Sequence, residues 1–173
     1  MIEGALVRLR HWQERDLAPI TMLRNDVALQ ARLLARARGS DEIQVRAWLE
    51  DRSGRPGNML FIIADRATNA ALGYLQFVGI DPEDMNADLG ICLAPSAQGH
   101  GRGSEALRLA FSHLRDLGIY KISLRVRADN LAAIRCYTRL GFDRCGVLKE
   151  HTLIEGCRHD VLLMERFLAS WVD

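Results

Sequence analysis

Glycines at positions 99, 101 and 103 alternate through Gln98-Gly-His100-Gly-Arg102-Gly-Ser104, directly after an apolar run and directly before residues with helical spacing. Without Cβ atoms such a loop leaves backbone N–H groups unobstructed, and the first turn of the following helix adds unpaired donors and a partial positive charge. Together they make a cradle for an anion, above all a phosphate. Two phosphate loops are excluded by the letters themselves. A P-loop ends on Gly-Lys-Ser/Thr, whereas Gly103 is followed by Ser104 and Glu105, leaving no lysine for a terminal phosphate. The dinucleotide fingerprint GxGxxG, counted from Gly99, needs its third glycine where Ser104 stands. A glycine-rich connection that only permits a tight turn is the plain alternative.

The loop requires a strand before it and a helix after it, and hydropathy spacing supplies both. DLGICLA, from Asp88, reads as a strand; from Ser104 the apolar positions Leu107, Ala110, Phe111 and Leu114 make an amphipathic helix, with Gly118 where it would end. Upstream, ALVRL (Ala5 to Leu9) reads as a short strand, and RDLAPITMLRND with VALQARLLARA as a helical stretch broken near Asn25 and Asp26. SDEIQVRAWLEDR opens a further helix with Ser40 and Asp41 as cap candidates. MLFIIAD (Met59 to Asp65) and ALGYLQFVGI (Ala71 to Ile80) flank the turn residues Ala67, Thr68 and Asn69, as in an antiparallel hairpin. Downstream, KISLRVRA alternates apolar and polar residues, and Asn130 can cap the short helix LAAIRCYTRL, which stops at Gly141. VLKEHTLI and RHDVLLMERF pair across Glu155 and Gly156 as a last hairpin. The expected fold is α/β (α+β): helices over a mixed, mostly antiparallel sheet with one parallel crossover.

At 173 residues, with no repeat, low-complexity stretch or linker, the chain suits one domain over 1–173 built round one core. Hydrophobic residues at 49%, charged residues at 26% and a formal net charge of +1 favour neither a nucleic acid nor a membrane surface as partner. No apolar run reaches the roughly 18 residues of a span, and MIEGALVRLRHWQERD lacks the apolar centre of a signal peptide, so a cytoplasmic protein is expected. Cys92, Cys136, Cys145 and Cys157 include no CxxC pair and are expected to be reduced thiols. His11, His100, His113 and His159 have no metal-ligand spacing, and no metal is expected.

Gln98 to Gly103 matches a Q/R-x-x-G-x-G/A signature, and ICLAPSAQGHGRGSEAL with RADNLAAIRCYTRLGF resembles two successive blocks of the GNAT N-acetyltransferase superfamily. The ending GVLKEHTLIEGCRHDVLLM resembles the final hairpin of the RimJ/RimL-like, ribosomal-protein N-terminal branch. The resemblance implies a central sheet with a splayed parallel strand pair, acetyl-CoA as cofactor and an amine as acceptor. It implies that the backbone of Ile91, Cys92 and Leu93 binds the acetyl and pantetheine arm, where an exposed strand edge can pair with amides. It places Gln98, Gly99, His100, Gly101, Gly103 and Ser104 at the pyrophosphate, Asn130 at the pantetheine, and Arg102 or Arg135 near a CoA phosphate.

Transfer to an amine needs a proton removed from the nucleophile and one delivered to the leaving thiolate. Tyr137 lies where the family often carries its tyrosine acid, and a phenol titrating near roughly 10 can share a proton with a thiol. Relatives often have glutamate at the start of the preceding strand, where this chain has Asp88, one methylene shorter. Asp88 could act as base through one water; Glu150 and His151 are reserves. The expected acceptor is a protein or peptide N-terminal amine, with a small-molecule amine (polyamine, antibiotic or nucleotide-linked amino sugar) or a non-catalytic CoA-sensing module as alternatives. Two charged segments hint in opposite directions: Arg24, Arg32, Arg36 and Arg38 toward an anionic acceptor, Asp81, Glu83 and Asp84 toward a cationic one. An apolar edge near Trp171 suggests a homodimer.

Overall fold

A computed structural model describes residues 1–168; the dimer edge expected near Trp171 lies outside them. The order of elements is β1 (Ile2–Glu3), β2 (Val7–Arg10), α1 (Leu17–Asn25), α2 (Val27–Arg32), α3 (Glu42–Gly54), β3 (Met59–Asp65), β4 (Ala71–Asp81) and β5 (Asn86–Leu93). Then come α4 (Arg102–Asp116), β6 (Lys121–Arg127), α5 (Leu131–Arg139), β7 (Asp143–Ile154) and β8 (Cys157–Phe167). The strands form one eight-stranded sheet in the order β1-β2-β3-β4-β5-β6-β8-β7, in which β5 and β6 are the parallel pair. No helix among the described residues is long and apolar enough to cross a membrane.

Local chemistry sets the helix ends. Asp26 breaks the first helical stretch and caps the second, its Oδ1 accepting from Leu29 N at 2.9 Å. Asp41 caps α3 through Gln44 N (2.8 Å), while Gln44 Oε1 accepts from Asp41 N (3.1 Å), a reciprocal capping box. Ser40, the other cap candidate, instead exchanges backbone hydrogen bonds with the Asn25 side chain at 2.7 and 2.8 Å, which ties the end of α1 to the start of α3.

The strand expected from Ala5 is β2 and begins later, at Val7, while the two-residue β1 before it has no counterpart among the expected strands. The N–H groups of Ala5, Leu6 and Val7 donate at 2.9, 2.7 and 2.8 Å to the carboxylate of Glu105 in the first turn of α4, so that side chain takes donors a strand partner would have used.

A sheet covered on both faces cannot have the one core expected from length alone: alternate side chains point to opposite sides. Leu75, Phe77 and Leu89 join α4 in one buried cluster, and Tyr74 and Cys92 join α1 to α3 in another. Burial pushes the Cys92 thiol up to about 12, and all four cysteines are free. On the second face, buried Arg10 meets buried Asp16 through two hydrogen bonds, at 2.6 and 2.8 Å, and its Nε donates to Asn69 Oδ1 at 2.8 Å in the β3–β4 turn.

What positions the site is unequal pairing along β5. It pairs with β4 from Asn86 to Leu93 but with β6 only at Asn86, Ala87 and Asp88. Past Asp88 the two parallel strands part, which leaves one edge of Leu89 to Leu93 without a strand partner.

Candidate active site

The loop lies at the end of that open edge. Pro95 begins a short 3-10 turn, and Gln98 reaches back so that its Nε2 donates to the carbonyl of Leu93 at 2.9 Å. The three glycines answer to different needs. Gly99 and Gly101 have φ of +80° and +77°, a left-handed backbone that residues with a Cβ adopt at a cost. Gly103 is helical, and a Cβ there would stand 2.9 Å from Leu93 Cδ1. The consecutive N–H groups from Gly99 to Ser104 have no hydrogen-bond partner among the described residues. That array is a built anion cradle at the start of a fifteen-residue helix. Gly101→Ala is expected to keep the fold, since its Cβ would meet only Leu6 Cδ1 at 3.6 Å. The strained backbone should turn the donors aside, and about 1 kcal/mol of strain corresponds to roughly fivefold weaker CoA binding by calorimetry.

Two cavities flank the open edge. One, of about 520 Å³, is lined by Gln98, Gly99, Gly101, Gly103, Ser104 and Arg135, with Cys136 and Arg139 beyond them. The other, of about 470 Å³, is lined by Tyr74, Gln76, Asp88, Gly90, Arg125 and His151 among others. Arg32, Leu33, Ile91, Asn130, Ala133 and Tyr137 border both, so the two spaces join where β5 lacks its neighbour.

Tyr137 is half-buried, its ring tilted against Phe142 with centroids 5.8 Å apart. Its phenol has no hydrogen-bond partner among the described residues. Burial, and secondly the adjacent Cys136 thiol, hold it above its ordinary value, so it keeps its proton. Asp88 is exposed to the second cavity at the point where the strands part, and Ser123 Oγ, in register with it on β6, donates to its Oδ1 at 2.6 Å. Asn130 caps α5 through Ala133 N at 3.3 Å, which fixes its side chain at the junction.

Other expected site residues are placed differently. Arg102 lines neither cavity: its Nη2 faces Asp65 Oδ2 at 3.5 Å, and that carboxylate is held by the N–H groups of Ala67 and Thr68. His100 is exposed and also lines neither, which leaves only its main chain for the cradle. The side chain of Cys92 packs into the α1–α3 core, the carbonyl of Leu93 is taken by Gln98, and Ile91 borders both cavities. Of the reserve bases, His151 lines the second cavity and Glu150 does not. Of the basic segment only Arg32 borders the cleft; Arg24 lies over the Trp48 ring at 4.0 Å and Arg36 reaches the carbonyl of Leu153. The acidic turn lines neither cavity: Asp81 Oδ1 accepts from Glu83 and Asp84 N–H groups.

Gln76 and Arg125 have no signal of their own in the sequence. Gly90 carried an indirect one: an isolated glycine inside a strand marks a close approach. Here Gln76 lies across it, and a Cβ on Gly90 would be 2.9 Å from Gln76 Nε2.

A sheet splayed beside a helix-capping anion loop defines a class, and the chain belongs to it: the acetyltransferase (GNAT) domain family, whose model matches residues 7–143. Among individual relatives, the mycothiol acetyltransferase of Rhodococcus erythropolis is 32% identical over 108 residues, covering 60% of this chain and 34% of that protein. The mycothiol acetyltransferase of Mycobacteroides abscessus is 31% identical over 159 residues, covering 79% and 54%. The chain thus spans about half or less of these curated relatives. The fold matches the crystal structure of spermidine N-acetyltransferase from Vibrio cholerae in complex with CoA and spermine, with a TM-score of 0.88, 22% identity, 98% of this chain and 100% of that one. A GNAT-family acetyltransferase from Bacillus anthracis matches with a TM-score of 0.81 at 16% identity, covering 96% and 98%. These relatives support the superfamily and not the ribosomal-protein branch suggested by the final hairpin.

Proposed function

We propose that the protein transfers the acetyl group of acetyl-CoA to the primary amine of a small molecule. The observation that carries this reading is the junction: an anion cradle and an open strand edge on one side, a second cavity lined by Asp88, Gln76 and Arg125 on the other, and Tyr137 bordering both. The residues present fit the cofactor. The unpartnered N–H groups of Gly99 to Ser104 would take its diphosphate, Arg135 a phosphate, and the free edge at Ile91 with Asn130 the amide-bearing arm. Bound there, acetyl-CoA supplies an activated acyl carbonyl and a thiol leaving group.

The protein's own groups then divide the proton work. Asp88, held by Ser123, accepts the proton of the incoming ammonium, directly or across one water. Tyr137, neutral and facing the junction, donates a proton to sulfur as the carbon–sulfur bond breaks. The acceptor expectation shifts from a peptide N-terminus to a small molecule, because the relatives are mycothiol and spermidine acetyltransferases. Thiol release from acetyl-CoA tests this: turnover is expected with small primary amines and not with N-terminal peptides. Asp88→Asn should lower kcat about 10²-fold; an unchanged kcat removes Asp88 from this role, and turnover confined to peptides removes the acceptor class.

A further inference from the structure

We infer that the acceptor carries an anionic group at some distance from its amine, and that Arg125 and Arg32 recognise it. This rests on the acetyltransfer reading above. Formal charge in the acceptor cavity comes from Asp88, Arg125 and Arg32, the last of which borders the cofactor-side cavity as well. The three are not paired off with one another or with anything else charged: Asp88 holds only the hydroxyl of Ser123, and neither arginine has a carboxylate within ion-pair distance among the described residues.

The neighbouring arginine on the same strand shows that this is particular to the site. Arg127, two residues along β6 and so on the same face as Arg125, pairs with Asp129 and also faces the carbonyl of Ala31 at 3.5 Å. Arg125 points from the same face with its charge uncommitted. Free guanidinium groups in a cavity await a carboxylate or phosphate, which their planar forks bind through two hydrogen bonds.

The amine end has its own receptors. Besides the Asp88 carboxylate, the Oε1 of Gln76 is buried and accepts no hydrogen bond from the described residues, and Gln76 lines the same cavity. Buried acceptors in folded proteins are nearly always satisfied, and an ammonium N–H would satisfy this one. Asp88 stands at the parting of β5 and β6, and Arg125 lies two residues further along β6 than its register partner Ser123. The cavity therefore presents an acid at one end of a short span and a base further on. That arrangement suits a zwitterion and opposes a polycation, whose second ammonium would face the arginines.

The test is thiol release with acceptors matched in length and differing only in the far group: 4-aminobutyrate, 4-amino-1-butanol and 1,4-diaminobutane, with glucosamine 6-phosphate against glucosamine as a larger pair. The anion-bearing member of each set is expected to have about tenfold higher kcat/KM than its neutral counterpart, mostly through KM. That preference should fall to about one in Arg125→Gln and in Arg32→Gln. Arg125 is exposed and lines only the acceptor cavity, so the KM for acetyl-CoA reports whether the variant protein is intact. Preference for the neutral or dicationic member, or an anion preference that survives both substitutions, overturns this inference while leaving acetyl transfer standing. Absence of thiol release across all sets, with acetyl-CoA binding seen by calorimetry, overturns the acetyltransfer reading and this one with it.

Discussion

Tyr137→Phe is expected to lower kcat by about 10²–10³-fold while leaving the KM for acetyl-CoA and the melting temperature nearly unchanged. The ring packs on Phe142 and would still do so without its hydroxyl. The oxygen has no hydrogen-bond partner among the described residues, so its removal leaves none of their donors or acceptors unsatisfied. What is lost is the proton that the leaving sulfur needs. The pH profile separates this role from a packing role. Burial disfavours the phenolate, so the folded tyrosine titrates above its ordinary value of about 10. Any alkaline fall in kcat that begins well below pH 10 therefore belongs to another group and should persist in Tyr137→Phe. Above that pH, phenols ionise more readily in the unfolded chain than in the folded one, so stability declines as pH rises through that range. Tyr74, also held above its ordinary value by burial, adds to the same decline. A kcat within twofold of the parent would end the proposal that Tyr137 is the acid.

Asp16→Ala should be the most damaging single change to stability, at about 3–5 kcal/mol, even though no atom of Asp16 lines either cavity. Arg10 and Asp16 are 5% and 1% exposed, and the pair is fully engaged: besides their two mutual bonds, Asp16 accepts from Gln13 N at 2.8 Å and Arg10 donates to the carbonyls of His11 and Asn69, each at 3.1 Å. Removing the carboxylate strands a guanidinium where water cannot reach it. The pair also holds Asn69, whose φ of +58° marks the tight β3–β4 turn, so the damage extends to the register of that hairpin. Against a typical total of about 5–15 kcal/mol, the loss would lower Tm by roughly 10 °C. Replacing both partners, as in Arg10→Met with Asp16→Leu, should restore much of it, because no charge is then left buried. Urea unfolding of the two variants beside the parent checks this; a loss below about 1 kcal/mol for Asp16→Ala would mean that the pair behaves like a surface ion pair.

Much of the scaffold was legible because its determinants are local. Asp26 and Asp41 cap the helices they precede, and each needs only donors three residues on. Gly118 and Gly141, at φ of +86° and +83°, end helices at the places their sequence positions suggested. The anion loop could be read for the same reason: three glycines and the first turn of one helix make the cradle without help from distant residues. Glu105 shows where such reading stops, since the carboxylate that holds Ala5, Leu6 and Val7 comes from the far end of the sheet in sequence and looks like any first-turn glutamate.

The sequence by itself determined a strand-loop-helix whose bare backbone suits a phosphate, the capped helices, and a mostly antiparallel sheet with one parallel crossover. Only the tertiary structure decided which charges are spent and which are free. Arg102 sits inside the loop motif yet is claimed by Asp65, while Arg127 and Arg125 are indistinguishable along β6 until Asp129 is seen to take one and leave the other. The second cavity draws on α2, β4, β5, β6, α5 and β7, which no short stretch of chain brings together. Caps and turns act over a few residues and are written where they operate. Charge pairing and cavity shape depend on distances between strands, and those exist only once the sheet has formed and parted after Asp88.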